Sequence, residues 1–128
     1  MKKVTLAVLT AVLSLFLVSL GCSKGPQPPR LLYPEDGAIL LNMPFYWSTV
    51  PEAENYLFEI ATDQVFANVI LDEVLADTAY QIQNTEIFQT GITIYYWHVY
   101  SGDGKGWGEA SERRSFTIAG GGKSWGSF

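Results

Sequence analysis

Cysteine and histidine each occur once in the chain, as Cys22 and His98, and this scarcity excludes several classes of site. A disulfide needs a second cysteine, so the fold has to be held together by packing alone. Zinc sites use three or four nitrogen, sulfur or carboxylate ligands, and one histidine with one cysteine cannot supply them. We therefore expect neither a metal nor any other cofactor.

Basic residues are also few. The 128 residues include 8 lysines and arginines against 13 aspartates and glutamates, which gives a net charge of −5. Removing residues 1–21 would take away Lys2 and Lys3 and leave six basic against thirteen acidic residues, a net charge of −7. Nucleic-acid-binding proteins concentrate positive charge on one face, so this balance excludes nucleic acid and argues against a basic patch on anionic lipid.

Motifs that would support catalysis are missing as well. Serines are available as partners for His98, but none lies in a Gly-x-Ser-x-Gly nucleophile motif. The segment Asp103 to Gly106 has one carboxylate, too few for an EF-hand loop, and it lacks the Lys-Ser/Thr ending of a P-loop. We interpret His98 as a solvated strand histidine and residues 102–109 as a hairpin loop, and we predict that the chain is not an enzyme.

The first 21 residues are predicted to be a signal peptide outside the fold. A basic start, Met1-Lys2-Lys3, precedes a nearly unbroken apolar run from Val4 to Leu20. The run ends in Ser19-Leu20-Gly21-Cys22, which resembles the lipobox of bacterial lipoproteins, with Ser19 in place of the usual leucine. This resemblance implies cleavage before Cys22 and lipid attachment to its thiol, and it gives a reason for an unpaired cysteine in a secreted chain.

The rest of the chain is predicted to have three parts. Residues 22–28 carry the lipidated cysteine and a Pro-rich tether, residues 29–118 form one domain, and residues 119–128 form a flexible Gly-rich tail. Ser23 stands where Gram-negative lipoproteins of the inner membrane carry aspartate, so it resembles the outer-membrane class. We expect attachment to the bacterial cell envelope, at the outer membrane, through the lipid on Cys22.

Residues 93–101 are predicted to be the central strand of an all-β domain. β-branched and aromatic residues fill this segment, and Gly91 and Gly102 bound it with turn signals. The alternation of a strand separates a face turned to the core from a face open to water, namely Tyr95, Trp97, Val99 and Ser101 against Tyr96, His98 and Tyr100. Six other short segments have strand character, which makes seven strands and no helix: 30–34, 43–48, 56–61, 69–74, 79–82 and 113–118.

The order of these segments resembles the fibronectin type III-like domains of bacterial surface proteins. The resemblance covers Pro28 to Ile118 and is carried by Phe45 to Trp47, Tyr56 to Asp63, Tyr95 to Val99 and Ser115 to Ile118. It implies a seven-stranded, immunoglobulin-like β-sandwich in which Trp47 is buried and the Tyr95 hydroxyl bonds back to the backbone. Since Arg-Gly-Asp is absent from the sequence, integrin-type adhesion does not carry over.

The predicted core contains eight large side chains between the two sheets: Trp47, Tyr56, Phe58, Ile60, Tyr95, Trp97, Val99 and Phe116. The candidate binding residues are a second, outer set: Tyr96, His98, Tyr100 and Trp107. Exposed aromatic rings on a sheet can stack on sugars or anchor a protein partner, although tyrosine is also an ordinary strand residue with a polar tip.

The function predicted from these observations is that of a lipid-anchored binding or spacer module without catalytic activity. Its partner would be an envelope protein or a glycan. Two alternatives remain open, a carbohydrate-binding module that uses the exposed aromatics, and a structural accessory subunit of an envelope enzyme or secretion complex.

Overall fold

The computed structural model describes residues 25–120. The predicted signal peptide, Cys22 and residues 121–128 lie outside this range. The described residues form strands and one short 3-10 turn, Thr85–Ile87, without an α-helix. None of their elements is a helix of the length and apolar character that crossing a membrane requires.

Nine strands follow one another in the chain. They are β1 (Leu31–Tyr33), β2 (Ala38–Leu40), β3 (Pro44–Trp47), β4 (Asn55–Ala61), β5 (Val69–Leu75), β6 (Ala79–Gln81), β7 (Tyr95–Asp103), β8 (Gly106–Ala110) and β9 (Arg114–Ile118). Three of them form a small sheet in the order β1-β3-β6, and the other six form a larger sheet in the order β2-β9-β7-β4-β5, with β8 also paired to β7. The two sheets make the predicted sandwich.

The central position predicted for residues 93–101 is confirmed, although the strand itself begins at Tyr95. On one side β7 pairs with β4 over seven residues, from Asn55 opposite Gly102 to Ala61 opposite Tyr96. On the other side it pairs with β9 near its start and with β8 near its end. Strand β7 is therefore an interior strand of the larger sheet, with paired strands on both sides.

The prediction of seven strands is wrong, because two further strands, β2 and β8, form outside the predicted segments. After β1 the chain leaves the small sheet, turns at Gly37, whose φ is +82°, and adds β2 parallel to β9 in the larger sheet. Residues 106–110, predicted to be loop, form β8 instead, and residues 111–113 separate it from β9. The glycines of β8 weaken its strand signal in the sequence, whereas pairing with β7 determines the outcome.

The predicted core is confirmed, since each of its eight side chains is at most 4 % exposed. Phe45 is also completely buried and contacts Phe58, Trp97 and Phe116 edge-on, with ring centroids 5.1, 4.9 and 5.4 Å away. The edge-on geometry brings the positive edge of one ring to the negative face of another. Close aromatic packing thus takes the place of covalent cross-links in this domain.

Two buried tyrosines fix the chain where it enters a strand of the larger sheet. The Tyr95 hydroxyl accepts a hydrogen bond of 2.6 Å from the backbone N–H of Gln89, as the family resemblance implies. The Tyr56 hydroxyl accepts one of 3.1 Å from Val50, which the sequence did not predict. Each bond satisfies a backbone donor, which would be costly to leave unpaired where it is buried.

A charged residue lies on the inner side of β5, the strand that ends the larger sheet. Glu73 is the cross-strand partner of Phe58, whose side chain is buried, so the two side chains share the inner face. Tyr80 of the small sheet lies nearby, and its pKa is raised, first by burial and then by the negative charge of Glu73. Together Glu73 and Tyr80 make the margin of the sandwich polar at this edge.

Residues 25–29, the described part of the predicted tether, pack on the domain. Pro26 and Pro29 are buried. A Cβ placed on Gly108 would lie 2.1 Å from the Pro26 oxygen, and one placed on Gly25 would lie 2.8 Å from the Gly108 nitrogen. Only glycine permits this approach of two backbones, so the chain reaches β1 along β8.

Candidate functional site

The four candidate binding residues lie along the outer face of the larger sheet. Tyr96, His98 and Tyr100 alternate with buried residues of β7, as the period of a strand requires. Trp107 of β8 is the cross-strand partner of Gly102, and a Cβ on Gly102 would meet the indole ring at 2.6 Å. Because Gly102 has no side chain, the Trp107 ring can pack directly against its backbone.

His98 is not the solvated histidine that the sequence predicted. The residue is only 6 % exposed, and its Nε2 atom lies 2.8 Å from Oε1 of Glu59, its cross-strand partner on β4. The Phe66 ring stacks on the imidazole with the centroids 3.6 Å apart and the planes 5° from parallel. The prediction is wrong because a residue from a distant loop covers a face that alternation alone leaves open.

Burial controls the protonation of this histidine. Loss of hydration lowers the pKa of His98, and the hydrogen bond and negative charge of Glu59 offset this effect only in part. At neutral pH the ring is therefore uncharged, and Nε2–H donates to the Glu59 carboxylate, which can only accept. The same surroundings raise the pKa of Tyr100, mainly through burial and further through the charge of Glu59.

The loop at residues 62–68 forms one wall above these residues. The Asp63 carboxylate accepts hydrogen bonds from the backbone N–H groups of Val65, Ala67 and Asn68 at 3.3, 2.9 and 2.8 Å. These bonds hold the pKa of Asp63 below its ordinary value. Between them Phe66 has a φ of +57°, a conformation that bulky residues rarely adopt. One carboxylate thus shapes the loop that places Phe66 over His98.

The break between β8 and β9 forms the opposite wall. The Ser111 hydroxyl accepts from the backbone N–H of Val99 at 3.0 Å and donates to the backbone carbonyl oxygen of Glu112 at 2.7 Å, which fixes the segment against β7. Arg113 then reaches the first wall, where its Nη2 donates to Oε1 of Gln64 at 3.0 Å. The Gln64 amide also lies 3.5 Å from the Tyr96 hydroxyl.

Between the two walls lie two adjoining depressions of about 550 and 540 Å³, which we call the outer groove. The first is lined by residues that include Glu59, Phe66, His98 and Tyr100, and the second by residues that include Asp36, Tyr96 and Ser115. Three residues line both depressions: Gln64, Glu112 and Arg113. The structure thus brings Tyr96, His98 and Tyr100 together in one groove, whereas Trp107 is not among the lining residues.

Asp36 closes one end of the outer groove. Its carboxylate accepts hydrogen bonds from the backbone N–H and the hydroxyl of Ser115 at 2.8 and 3.1 Å. Both bonds hold the pKa of Asp36 below its ordinary value. The turn at residues 35–37 is therefore tied to β9, and it contributes a carboxylate acceptor to the site.

Sequence reasoning missed Glu59, Gln64, Phe66 and Arg113 as parts of the site. Asp63 signals a turn, because its short side chain can bond to the backbone just after it, yet no pattern in the sequence pairs this turn with Arg113. As for metals, residues 25–120 contain no group of three or more histidine, cysteine, aspartate or glutamate side chains that could hold an ion.

No family model and no curated protein matches the sequence. Solved structures do match. An Fn3-like protein from Clostridium thermocellum has 17% identity and a TM-score of 0.54, with 73% of this chain and 94% of that chain covered. The fibronectin type-III domain of human fibronectin type III domain containing protein 3 has 21% identity and a TM-score of 0.55, with coverages of 78% and 93%. These likenesses show that the domain has the fibronectin type III-like fold.

Proposed function

We propose that the chain is a lipid-anchored module of the bacterial cell envelope that binds a partner and holds it at a distance, without catalysing a reaction. The observation that carries the binding part is the outer groove, whose two walls are linked by hydrogen bonds among their own side chains. Pre-ordered side chains lose little freedom on binding, so more of the contact energy appears as affinity. His98, the one candidate base, is buried beneath Phe66 and bonded to Glu59, which supports a structural role for it.

The anchor is supported by the sequence. The lipobox-like Ser19-Leu20-Gly21-Cys22 predicts a lipid on Cys22, and Ser23 favours the outer membrane. Mass spectrometry of the membrane fraction should find Cys22 as an acylated N-terminus, and Cys22→Ser should release or mis-process the protein. Cleavage at another position, or an N-terminal peptide without acyl mass, would refute the anchor.

The path of the chain supports the spacing part. The chain reaches the domain beside Gly108, at the end of β7 that includes Asp103, and it leaves after Ile118, beyond the end at Tyr95. Nine residues of extended strand span about 30 Å. Because the chain enters and leaves the domain at opposite ends, the domain holds the residues after Ile118 away from the anchored N-terminal side.

Capture from solubilised envelope tests the binding part. The parent chain is expected to retain a partner that the double variant Tyr96→Ala/Tyr100→Ala loses, while the melting temperature of the domain stays nearly unchanged. Equal capture by parent and variant would contradict binding in the outer groove and leave the spacer role alone.

An accessory subunit is the second candidate, and the small sheet favours it. Its outer face exposes Leu32, Tyr33 and Tyr46 at 48%, 45% and 44%, and the two tyrosine rings lie 6.0 Å apart. Clustered exposed aromatics are common anchors at protein interfaces. If this face docks on an envelope complex, Tyr46→Ala should reduce co-purification of that complex while variants of the outer groove retain it.

A further inference from the structure

We infer that the ligand of the outer groove is a linear, uncharged glycan, an inference that rests on the proposed binding function. The first argument is shape. The two depressions adjoin along β7 and meet at Gln64, Glu112 and Arg113, where the hydrogen bond from Arg113 to Gln64 joins the two walls, so a ligand that occupies both depressions is elongated and passes over this bond. From Tyr96 to Tyr100 an extended strand advances about 14 Å, which suits a chain of small rings better than one compact molecule.

The second argument is the kind of polar group that lines the middle of the groove. Gln64 offers a carboxamide that both donates and accepts, Arg113 offers only donors, and Glu112 offers only acceptors. The Tyr96 hydroxyl beside them can do either. A ligand has to supply donors and acceptors in turn to satisfy this set, and a row of hydroxyl groups does so.

The third argument is charge. Carboxylates of Glu59, Glu112 and Asp36 line the groove and would repel an anionic polymer. Arg113 lies in the part common to both depressions, where it would repel a cationic side chain. Glu112 and Arg114 form an ion pair and offset each other, and Arg114 also donates to the Pro34 carbonyl, so the carboxylates that act on a ligand without such an offset are those of Glu59 and Asp36. The lining thus disfavours anionic ligands most strongly, and Arg113 in the shared part limits its attraction for cationic ones, so a neutral ligand suits it best.

The fourth argument is the aromatic surface. Tyr96 and Tyr100 are half-buried on alternate positions of β7, and each lines one of the two depressions. Tyrosine combines an apolar ring face with a polar tip, and a sugar ring likewise combines C–H faces with hydroxyl edges. Hydrogen bonds from Arg113 to Gln64 and from Gln64 to the Tyr96 hydroxyl link the polar groups of the groove to one of these two rings.

The test is calorimetric titration of the full chain, purified in detergent, with neutral hexasaccharides built from glucose, xylose, mannose or N-acetylglucosamine. A galacturonic acid hexamer serves as the anionic control. At least one neutral oligosaccharide is expected to bind, and the anionic one is expected to bind more weakly. Loss of a hydrogen bond to a charged group costs a factor of about 10 to 100 in affinity, which is the effect expected for Arg113→Ala.

Matched variants assign the binding to the groove. Gln64→Ala should also weaken binding, whereas Tyr46→Ala, which removes an exposed tyrosine from the other sheet, should leave the affinity unchanged. A melting curve for each variant separates loss of binding from loss of folding. Weakening by Tyr46→Ala but not by Arg113→Ala would overturn the assignment.

The failures of the two proposals differ. If no neutral oligosaccharide binds, or the anionic one binds more tightly, the glycan inference is wrong. A protein that the parent chain captures and Tyr96→Ala/Tyr100→Ala loses would then show that the groove binds protein and would preserve the proposed binding function. Absence of both glycan binding and protein capture would overturn the binding function too.

Discussion

Side chains of β7 alternate between its two faces, and buried residues occur on both. The parts of the chain that cover them differ. On the inner face, Trp97 is covered by Phe45 of the small sheet, so its cover follows from forming the sandwich. On the outer face, His98 is covered by a loop whose shape depends on Asp63. The inner face therefore belongs to the cooperative core, whereas the outer face can change locally while the sandwich stays folded.

The largest effect should come from the inner face. Trp97→Ala removes a completely buried indole, and such truncations cost about 3–5 kcal/mol, comparable with the whole stability of a marginal domain, about 5–15 kcal/mol. Thermal unfolding measures the loss. Trp97→Phe is the control, since it keeps a ring and removes a buried Nε1–H that has no partner among the described residues, so it should cost much less. An unchanged melting temperature for Trp97→Ala would contradict the assignment of faces.

Removing the Phe66 ring that covers the outer face should destabilise the domain less than Trp97→Ala does. Phe66→Ala removes the ring stacked on His98, and the loss of such a pair costs about 0.5–1.5 kcal/mol. Because the imidazole becomes hydrated, the pKa of His98 should rise toward its ordinary value, which NMR titration of the single histidine can follow. Phe66→Gly should be more stable than Phe66→Ala, since glycine accepts the positive φ without strain. Equal stability of the two variants would show that the loop relaxes when the ring is lost.

A smaller change in stability should appear when the pH is lowered and His98 becomes protonated. The folded chain lowers the pKa of His98 below 6.5, so the unfolded chain takes up the proton first as the pH falls. The stability due to neutral His98 is thus complete above pH 6.5 and declines as the pH falls toward the folded pKa. The lowered carboxyl pKa values of Asp36 and Asp63 act in a separate window, below their ordinary value of 3.8.

Chemical denaturation between pH 5 and 7 should show the decline in the parent chain. His98→Gln should lack it, since glutamine can still donate a hydrogen bond to Glu59 but has no proton to take up in this range. The same decline in both proteins would assign it to groups other than His98.

The smallest effect on stability is expected for the tyrosines of the outer face. Neither Tyr96→Ala nor Tyr100→Ala leaves a cavity between the sheets, and Tyr96→Ala should stay within about 0.5 kcal/mol. Tyr100→Ala also removes an edge-on contact with the His98 ring, 4.9 Å between centroids, so it should cost somewhat more. Melting temperatures close to that of the parent would sharpen the contrast with Trp97→Ala. A large loss would mean that this face is covered in the full chain.

Alternation was enough to predict the inner face, because a strand of period two fixes which side each residue of 95–101 takes. The burial of Trp47 was implied by the resemblance to fibronectin type III-like domains, and the structure agrees. Alternation could not predict that Phe66 stacks on His98, since that contact needs the loop held by Asp63 and a left-handed residue that no local preference favours. Nor could it predict β8, whose two glycines read as loop until β7 is there to pair with them.

The inward-facing carboxylate of Glu73 affects whether copies of the domain aggregate at high concentration. A strand at the margin of a sheet is a template on which another chain can continue the ladder and begin a fibre. Continuation beyond β5 would shut Glu73, which shares its face with buried Phe58, away from water without a counter-ion. The free energy lost in this step opposes edge-to-edge aggregation, and replacing Glu73 with leucine would remove that barrier.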